Sequence, residues 1–181
     1  MNTSPSGMIL VIGSGHFGER AVRKVHEKDE TAHIIVVDTD ETALKKLNYP
    51  GVETINQEGI SYLDQVIREK KINWVIPAVP VHVVFQWVFV NIRKSGIQVK
   101  KNPVPPDLNL PNQMRGSEND LYSSYASFTC PEDCSEPETY CTVTGNPREK
   151  PLYALLEEVV HKDFLSFVIR SYQLDRGVGG F

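Results

Sequence analysis

A chain of 181 residues with 40% apolar side chains can bury one full core and a small appended unit, at roughly 100 to 200 residues per domain. Its formal net charge of −4 lacks the basic excess used to displace counterions from a phosphate backbone, which excludes nucleic acid as a main partner. No apolar run approaches the roughly 20 residues that cross a bilayer, and the polar start Met1–Gly7 is no signal peptide, so a cytoplasmic chain without direct membrane insertion is expected.

In such a chain the sequon Asn2-Thr3-Ser4 reads as a frayed terminus. The first apolar run, Met8-Ile-Leu-Val-Ile12, is continuous, as in a strand buried on both faces of a parallel sheet. It stops at glycine. From Phe17 the pattern turns helical, with Phe17, Ala21, Val22 and Val25 on one side. A second buried strand, His33-Ile-Ile-Val-Val37, ends at Asp38. Asp40 and Glu41 open a second helix with acids in its first turn, where the macrodipole favours them, and Tyr49-Pro-Gly51 stops it.

A third strand is predicted over Val52–Ile55, then a helix carrying Ile60, Leu63, Val66 and Ile67. Strand Trp74–Val79, a helix from His82 to Arg93 and a short strand Ile97–Val99 complete five strands alternating with helices. That alternation predicts an α/β fold, a Rossmann-like doubly wound parallel sheet with right-handed crossovers. The prolines of Asn102-Pro-Val-Pro-Pro106 can continue neither element, which places a boundary between a dinucleotide-binding domain, 1–103, and a small cysteine-bearing C-terminal region, 104–181. In the latter, Leu152–Val160 reads as a short helix opened by Pro151, and Leu165–Ile169 as a strand able to join the sheet as a sixth member.

The turn Gly13-Ser14-Gly15-His16-Phe17-Gly18 matches G-x-G-x-x-G, follows a buried strand, opens a helix and precedes Asp38 by twenty positions. Gly13 allows the tight turn, Gly15 leaves room for a pyrophosphate, and Gly18 lets helix and sheet pack closely. The helix N-terminus supplies N–H groups and partial positive charge to the phosphates. Asp38, followed by Thr39, can accept from both ribose hydroxyls and would repel a 2′-phosphate, so NAD is favoured over NADP. Ala78 and Val79, in the loop leaving the fourth strand, complete the expected cofactor contacts. His82, at the end of the same loop, is the candidate acid or base, weighed against a plain helix-capping or exposed role.

The run Leu10-Val-Ile-Gly-Ser-Gly-His-Phe-Gly18, with Val36-Val-Asp-Thr-Asp-Glu41 and Leu44–Leu47, resembles the NAD-binding regulator domains of Trk-type potassium uptake systems, the TrkA-N or RCK group. The resemblance covers at most the first hundred residues. It implies a nucleotide-sensing domain with Gly13, Gly15, Gly18 and Asp38 as contacts, and a homodimer or a membrane-protein partner. After the fourth strand, Ile76-Pro-Ala-Val-Pro-Val-His82 is more reminiscent of saccharopine-dehydrogenase-like Rossmann proteins.

Cys130, Cys134 and Cys141 are all the cysteines of the chain, an odd set separated by four and seven positions. Pro131-Glu-Asp reads as a helix start that would put Cys130 and Cys134 on one side, with Cys141 folding back across them. Thiolates beside Glu132, Asp133, Glu136 and Glu138 need a local cation to ionise together. A metal site formed by the three is one expectation: zinc, with His161 or a carboxylate as fourth ligand, or an iron–sulfur cluster. Reduced thiols packing the loop are the other.

No Tyr-x-x-x-Lys pair, phosphate-binding Gly-Lys-Ser/Thr loop, His-Glu-x-x-His or Gly-x-Ser-x-Gly occurs in the chain. Two readings of function stand: an NAD-dependent oxidoreductase or redox-linked sensor using the cysteine site, and a non-catalytic module reporting NAD or NADH to a partner.

Overall fold

The structure, a computed structural model, describes residues 7–105, 108–116, 119–162 and 164–181. The Asn2-Thr3-Ser4 sequon and Pro106 lie outside the described residues. In chain order the elements are β1 (Met8–Ile12), α1 (His16–Lys28), β2 (His33–Asp38), α2 (Glu41–Leu44), β3 (Val52–Asn56), α3 (Gly59–Glu69), β4 (Ile72–Pro77) and α4 (Val83–Lys94). There follow β5 (Met114–Arg115), β6 (Leu121–Tyr122), α5 (Leu152–Glu157), β7 (Tyr172–Asp175) and β8 (Val178–Gly180). Among the described residues no helix is long and apolar enough to cross a membrane.

Strands β1 to β4 form one parallel sheet in the order β3-β2-β1-β4, with Leu10 opposite Ile35 on one side and Val75 on the other. Alternate residues of each strand feed two cores. Ile9, Val11, Ile34, Val36 and Ile76 meet Ala21, Val22 and Val25 of α1 and Leu44 of α2 on one face. Leu10, Ile12, Ile35, Val37 and Val75 meet Tyr62, Leu63 and Val66 of α3 and Val83 of α4 on the other.

This division follows from crossover handedness. From β1 to β3 the chain steps outward in one direction, which places α1 and α2 on one face. The return from β3 to β4 runs the opposite way, and α3 takes the other face. On that face Asp64 of α3 ties down α4, accepting from Trp87 Nε1 at 3.2 Å and from Lys94 Nζ at 2.6 Å.

Four strands, not five, make the parallel sheet. Ile97–Val99 forms no strand, and Ile97 is exposed. Leu165–Ile169 is no strand either, with Leu165 99% and Phe167 86% exposed. The free side of β4 is instead covered by the chain's last residues. Val75 and Phe181 exchange two hydrogen bonds, N–H to carbonyl at 2.9 and 3.1 Å, the pattern of an antiparallel pair. The hairpin β7–β8 ahead of Phe181 inserts Leu174 and Val178 into the core beside α1. Lys28 at the end of α1 donates to the Leu174 carbonyl at 2.7 Å.

The described chain accordingly divides into two compact units, one comprising the residues up to Ile97 with Ser171–Phe181, the other Gln98–Arg170. The second contains the β5–β6 hairpin, α5 and long irregular segments, and none of its described apolar residues is fully buried. Polar links organise it. Tyr125 Oη donates to the Lys150 carbonyl at 2.6 Å, Asn112 Nδ2 to the Ser124 carbonyl at 2.9 Å, and Arg170 stacks 4.0 Å above the Tyr153 ring while pairing with Glu138 at 2.7 Å.

Leu174 tests whether the tail belongs to the first core. It is 1% exposed among β-sheet and α1 side chains, so Leu174→Ala should destabilise the first unit by about 2–5 kcal/mol, as truncation of a buried leucine does. Denaturant unfolding followed by circular dichroism measures it. A loss below about 1 kcal/mol would make the hairpin a surface ornament.

Candidate functional site

The carboxyl ends of β1, β2 and β4 converge on the turn Gly13–Gly18. Gly13 N–H donates to the Val37 carbonyl at 2.9 Å and Ala78 N–H to the Ile12 carbonyl at 2.8 Å, so the turn is pinned between the ends of β2 and β4. β1 lies between β2 and β4, and the chain leaves it first toward β2 and returns later to β4. The gap between β1 and β4 is therefore the switch point where open α/β sheets hold ligands.

The three glycines do different work. Gly13 has φ +103°, and a Cβ there would lie 2.7 Å from the Ala78 carbonyl oxygen and 2.8 Å from Val79 Cγ1. A Cβ on Gly18 would overlap the Gly13 carbonyl itself. Both are demanded by the fold. Gly15 is not: its φ of −67° suits any residue, and a Cβ there would meet nothing within 4 Å. It caps α1 without a side-chain hydrogen bond, a position at which glycine is among the preferred residues.

Ser14 and Asp38 close the turn from the side. Asp38 Oδ2 accepts from Ser14 N at 2.6 Å and Ser14 Oγ at 2.8 Å, and Oδ1 accepts from Asp40 N at 3.0 Å. Burial pushes the Asp38 carboxyl up, but the N–H groups of Asp40 and Ser14, the Ser14 hydroxyl and the Thr39 N–H outweigh it and hold the group below the ordinary carboxylate range. Asp38 is then ionised throughout neutral and mildly acidic pH. Its stabilising effect is present above the unfolded value near 4 and is lost only as pH falls through the lower folded value. The Thr39 carbonyl accepts from Asn56 Nδ2 at 3.1 Å, which fixes the turn after β2.

His16 begins α1 with its ring 5.3 Å from that of Phe17, which is 60% exposed. His82 holds the cap position of α4 with no side-chain cap hydrogen bond and is exposed. A shallow cavity of about 340 Å³ lies between the starts of α3 and α4, lined by Glu58, Ile60, Ser61, Val81, Gln86 and Val90. Sequence reasoning missed this set. Its signal was positional only, since the loops after β3 and β4 share the edge that carries the glycine turn. Glu58 is consumed locally, accepting from Ile60 N at 2.9 Å and Ser61 N at 2.8 Å to cap α3.

In the second unit, Pro131-Glu-Asp forms a single turn, with Cys134 N–H donating to the Pro131 carbonyl at 3.1 Å, and not the expected helix start. None of the three cysteines is in a disulfide. Cys130 senses the other two. Desolvation pushes its thiol up first, and the charges of Cys134, Cys141 and Glu136 add to the rise while Arg148 opposes it.

Cys141 moves the other way, down to about 7, because the Thr144 hydroxyl and the N–H groups of Thr144 and Val143 bond its sulfur, with Arg148 helping. Arg148 is thus a cation that acts on both Cys130 and Cys141, as the smallest of the influences on each. Arg148 is held by Nη1 to the Pro137 carbonyl at 2.9 Å and lies 5.4 Å from the Tyr125 ring centre. Among the described residues no group of three or more His, Cys, Asp or Glu is arranged to hold a metal ion. His161 stacks on Phe164 at 4.8 Å.

At pH 7 about half of Cys141 is thiolate, so iodoacetamide should label it roughly tenfold faster than an ordinary exposed thiol, with a midpoint near 7. Cys130 should lag behind both. Peptide mass spectrometry after timed labelling reads the order, and equal rates at all three positions would show that the 141–145 turn does not donate to sulfur.

No curated protein and no solved structure matches the chain. Residues 8–83 match the family domain described as "Uncharacterized protein, N-terminal domain", AF_1314_N, which ends just after the loop that follows β4. Residues 81–181 match its companion, "Uncharacterized protein, C-terminal domain", AF_1314_C, more than half of the chain. The chain belongs to this AF_1314 family, with the glycine turn in the N-terminal domain and the cysteines in the C-terminal one.

Proposed function

We propose that the first unit is an NAD(H)-binding module. The observation that carries this reading is Gly15, a glycine required neither by its backbone angles nor by its neighbours, at the point where a dinucleotide's pyrophosphate would meet the start of α1. A turn that served only to pack α1 on β1 would need Gly13 and Gly18 alone.

The other residues fit the same ligand. A ribose hydroxyl reaching Asp38 Oδ2 replaces the Ser14 hydroxyl, one O–H donor for another, while the Ser14 N–H keeps the carboxylate in place. Because Asp38 is ionised and already close to the turn, a 2′-phosphate there meets a fixed negative charge. The cavity between α3 and α4 opens on the same edge and lies at the lower end of the roughly 300–1,000 Å³ typical of small-molecule sites, which suits an adenine ring.

His82, exposed at the start of α4 beside that edge, favours a second reading in which the module also performs hydride chemistry with His82 moving a proton. The resemblance to potassium-uptake regulator domains favours binding alone, with the nucleotide's redox state as the signal. His82→Gln separates the two, since it should leave NADH affinity unchanged and abolish turnover only if the histidine moves a proton.

Substitutions at the glycines test the site. Gly15→Val should abolish NAD binding by calorimetry and cost no more than about 1 kcal/mol of stability, that of a poorer helix cap, because its side chain enters open space. Gly18→Ala should instead destabilise the unit by about 1–3 kcal/mol through the clash with the Gly13 carbonyl. A Gly15→Val protein that binds NAD normally would remove the pyrophosphate from this turn.

Cofactor choice should follow Asp38. NAD(H) should bind more tightly than NADP(H) by about 1–3 kcal/mol, roughly tenfold to a hundredfold, the scale of a charged hydrogen bond lost. Calorimetry with both nucleotides reads this, and equal affinities would mean that Asp38 serves only to hold Ser14.

A further inference from the structure

The second unit ends in an apolar strip that lies in water. Val160, Leu165 and Phe167 are 93, 99 and 86% exposed, and Ile169 is exposed as well. Val160 and Leu165 flank the bridge between His161 and Phe164, whose rings stack at 4.8 Å, so the strip continues across that turn. From Leu165 to Arg170 the chain shows no helix, turn or bend, which sets Leu165, Phe167 and Ile169 on one side of an extended backbone.

Side chains fasten this segment to its own unit. Ser166 Oγ donates to the Leu156 carbonyl at 3.1 Å, and Arg170 pairs with Glu138 at 2.7 Å above the Tyr153 ring. The main chain between them is held by nothing comparable: among the described residues, no backbone group bonds the N–H or carbonyl groups of Leu165–Ile169.

We propose that two copies of the chain associate through this strip, Leu165–Ile169 of each pairing antiparallel about a two-fold axis at Phe167. An extended backbone with open donors and acceptors is a template for another strand. A lipid or a small apolar ligand covers the side chains but bonds none of those groups. A second copy does both, because the strip is complementary to itself. About Phe167, each Leu165 meets Ile169 of the other copy and the two Phe167 rings meet each other, three apolar cross-strand pairs on one face.

Charge selects that register. Centred on Ser166 instead, the strands would set Lys162 against Arg170, and in parallel register each charge would face itself. About Phe167 no like charges are opposed. The charges beside the strip are already matched, Arg170 with Glu138 and Glu158 with Lys150 at 2.6 Å, so two such faces meet without the repulsion that a net charge of −4 otherwise brings. Strands this short bury less than the roughly 1,200–2,000 Å² of a stable complex, so the association is reversible and concentration-dependent.

This inference concerns the second unit alone and does not depend on nucleotide binding by the first. Sedimentation velocity of the full chain tests it, under reducing conditions and without nucleotide, over on the order of 1 to 500 µM, the range of small interfaces. The expected result is monomer at the low end and dimer at the high end, with nothing larger, because a two-fold contact closes on itself. Phe167→Glu and Phe167→Lys each place like charges at the axis and should weaken the dimer by about tenfold or more. Mixing the two variants in equal amounts should restore it, which happens only if residue 167 faces itself. Phe167 is exposed, so both variants should keep the parent's circular dichroism. A monomer at every concentration, growth beyond the dimer, a dimer that both variants leave intact, or variants that do not recover on mixing would overturn the proposal. So would a monomer that sediments with phosphatidylcholine vesicles, which would assign the strip to a lipid surface.

Discussion

The close approach of α1 to the end of β1 is the constraint from which the rest of the first unit follows. Gly18 sits directly against the carbonyl of Gly13, closer than any side chain permits, and Gly13 reaches that position only with a positive φ. The contact lets α1 lie flat on the sheet, so that Ala21, Val22 and Val25 reach Ile9, Val11, Ile34 and Val36. It also points the start of the helix at the switch between β1 and β4.

Core and site are therefore separable in this turn. Two glycines are needed by the polypeptide itself. The third, Gly15, is required neither by its backbone angles nor by its neighbours. The open space beside Gly15 therefore distinguishes it from Gly13 and Gly18 in a way that the pattern G-x-G-x-x-G alone does not.

The extent to which the sequence foretold the structure depends on the range of the interaction. β1, α1, β2 and the Asp38 position were legible because each is set by residues a few positions apart: continuous apolar runs, a helical stripe and a glycine turn. The edge beside β4 was not. Residues 172–180 bring only Leu174 and Val178 to the core, and Phe181 after them pairs with Val75 of β4 across about a hundred positions, a choice no local pattern expresses. Leu165–Ile169 has the better strand composition and lies exposed, because apolar content makes a segment able to pair and does not supply an edge. The cysteines were legible as a group of neighbours in the chain. The donors and the Arg148 charge that act on Cys141 were not, because they depend on a hairpin, bridged at Tyr140 and Pro147, which folds the chain back on itself.

The two units also differ in the force that holds them. In the first, layered apolar side chains exclude water from the sheet. In the second, hydrogen bonds from Tyr125, Arg148 and Asn112 to distant carbonyls fix loops that have no apolar layer beneath them. Small units with so little buried surface are commonly stapled by a metal or by disulfides.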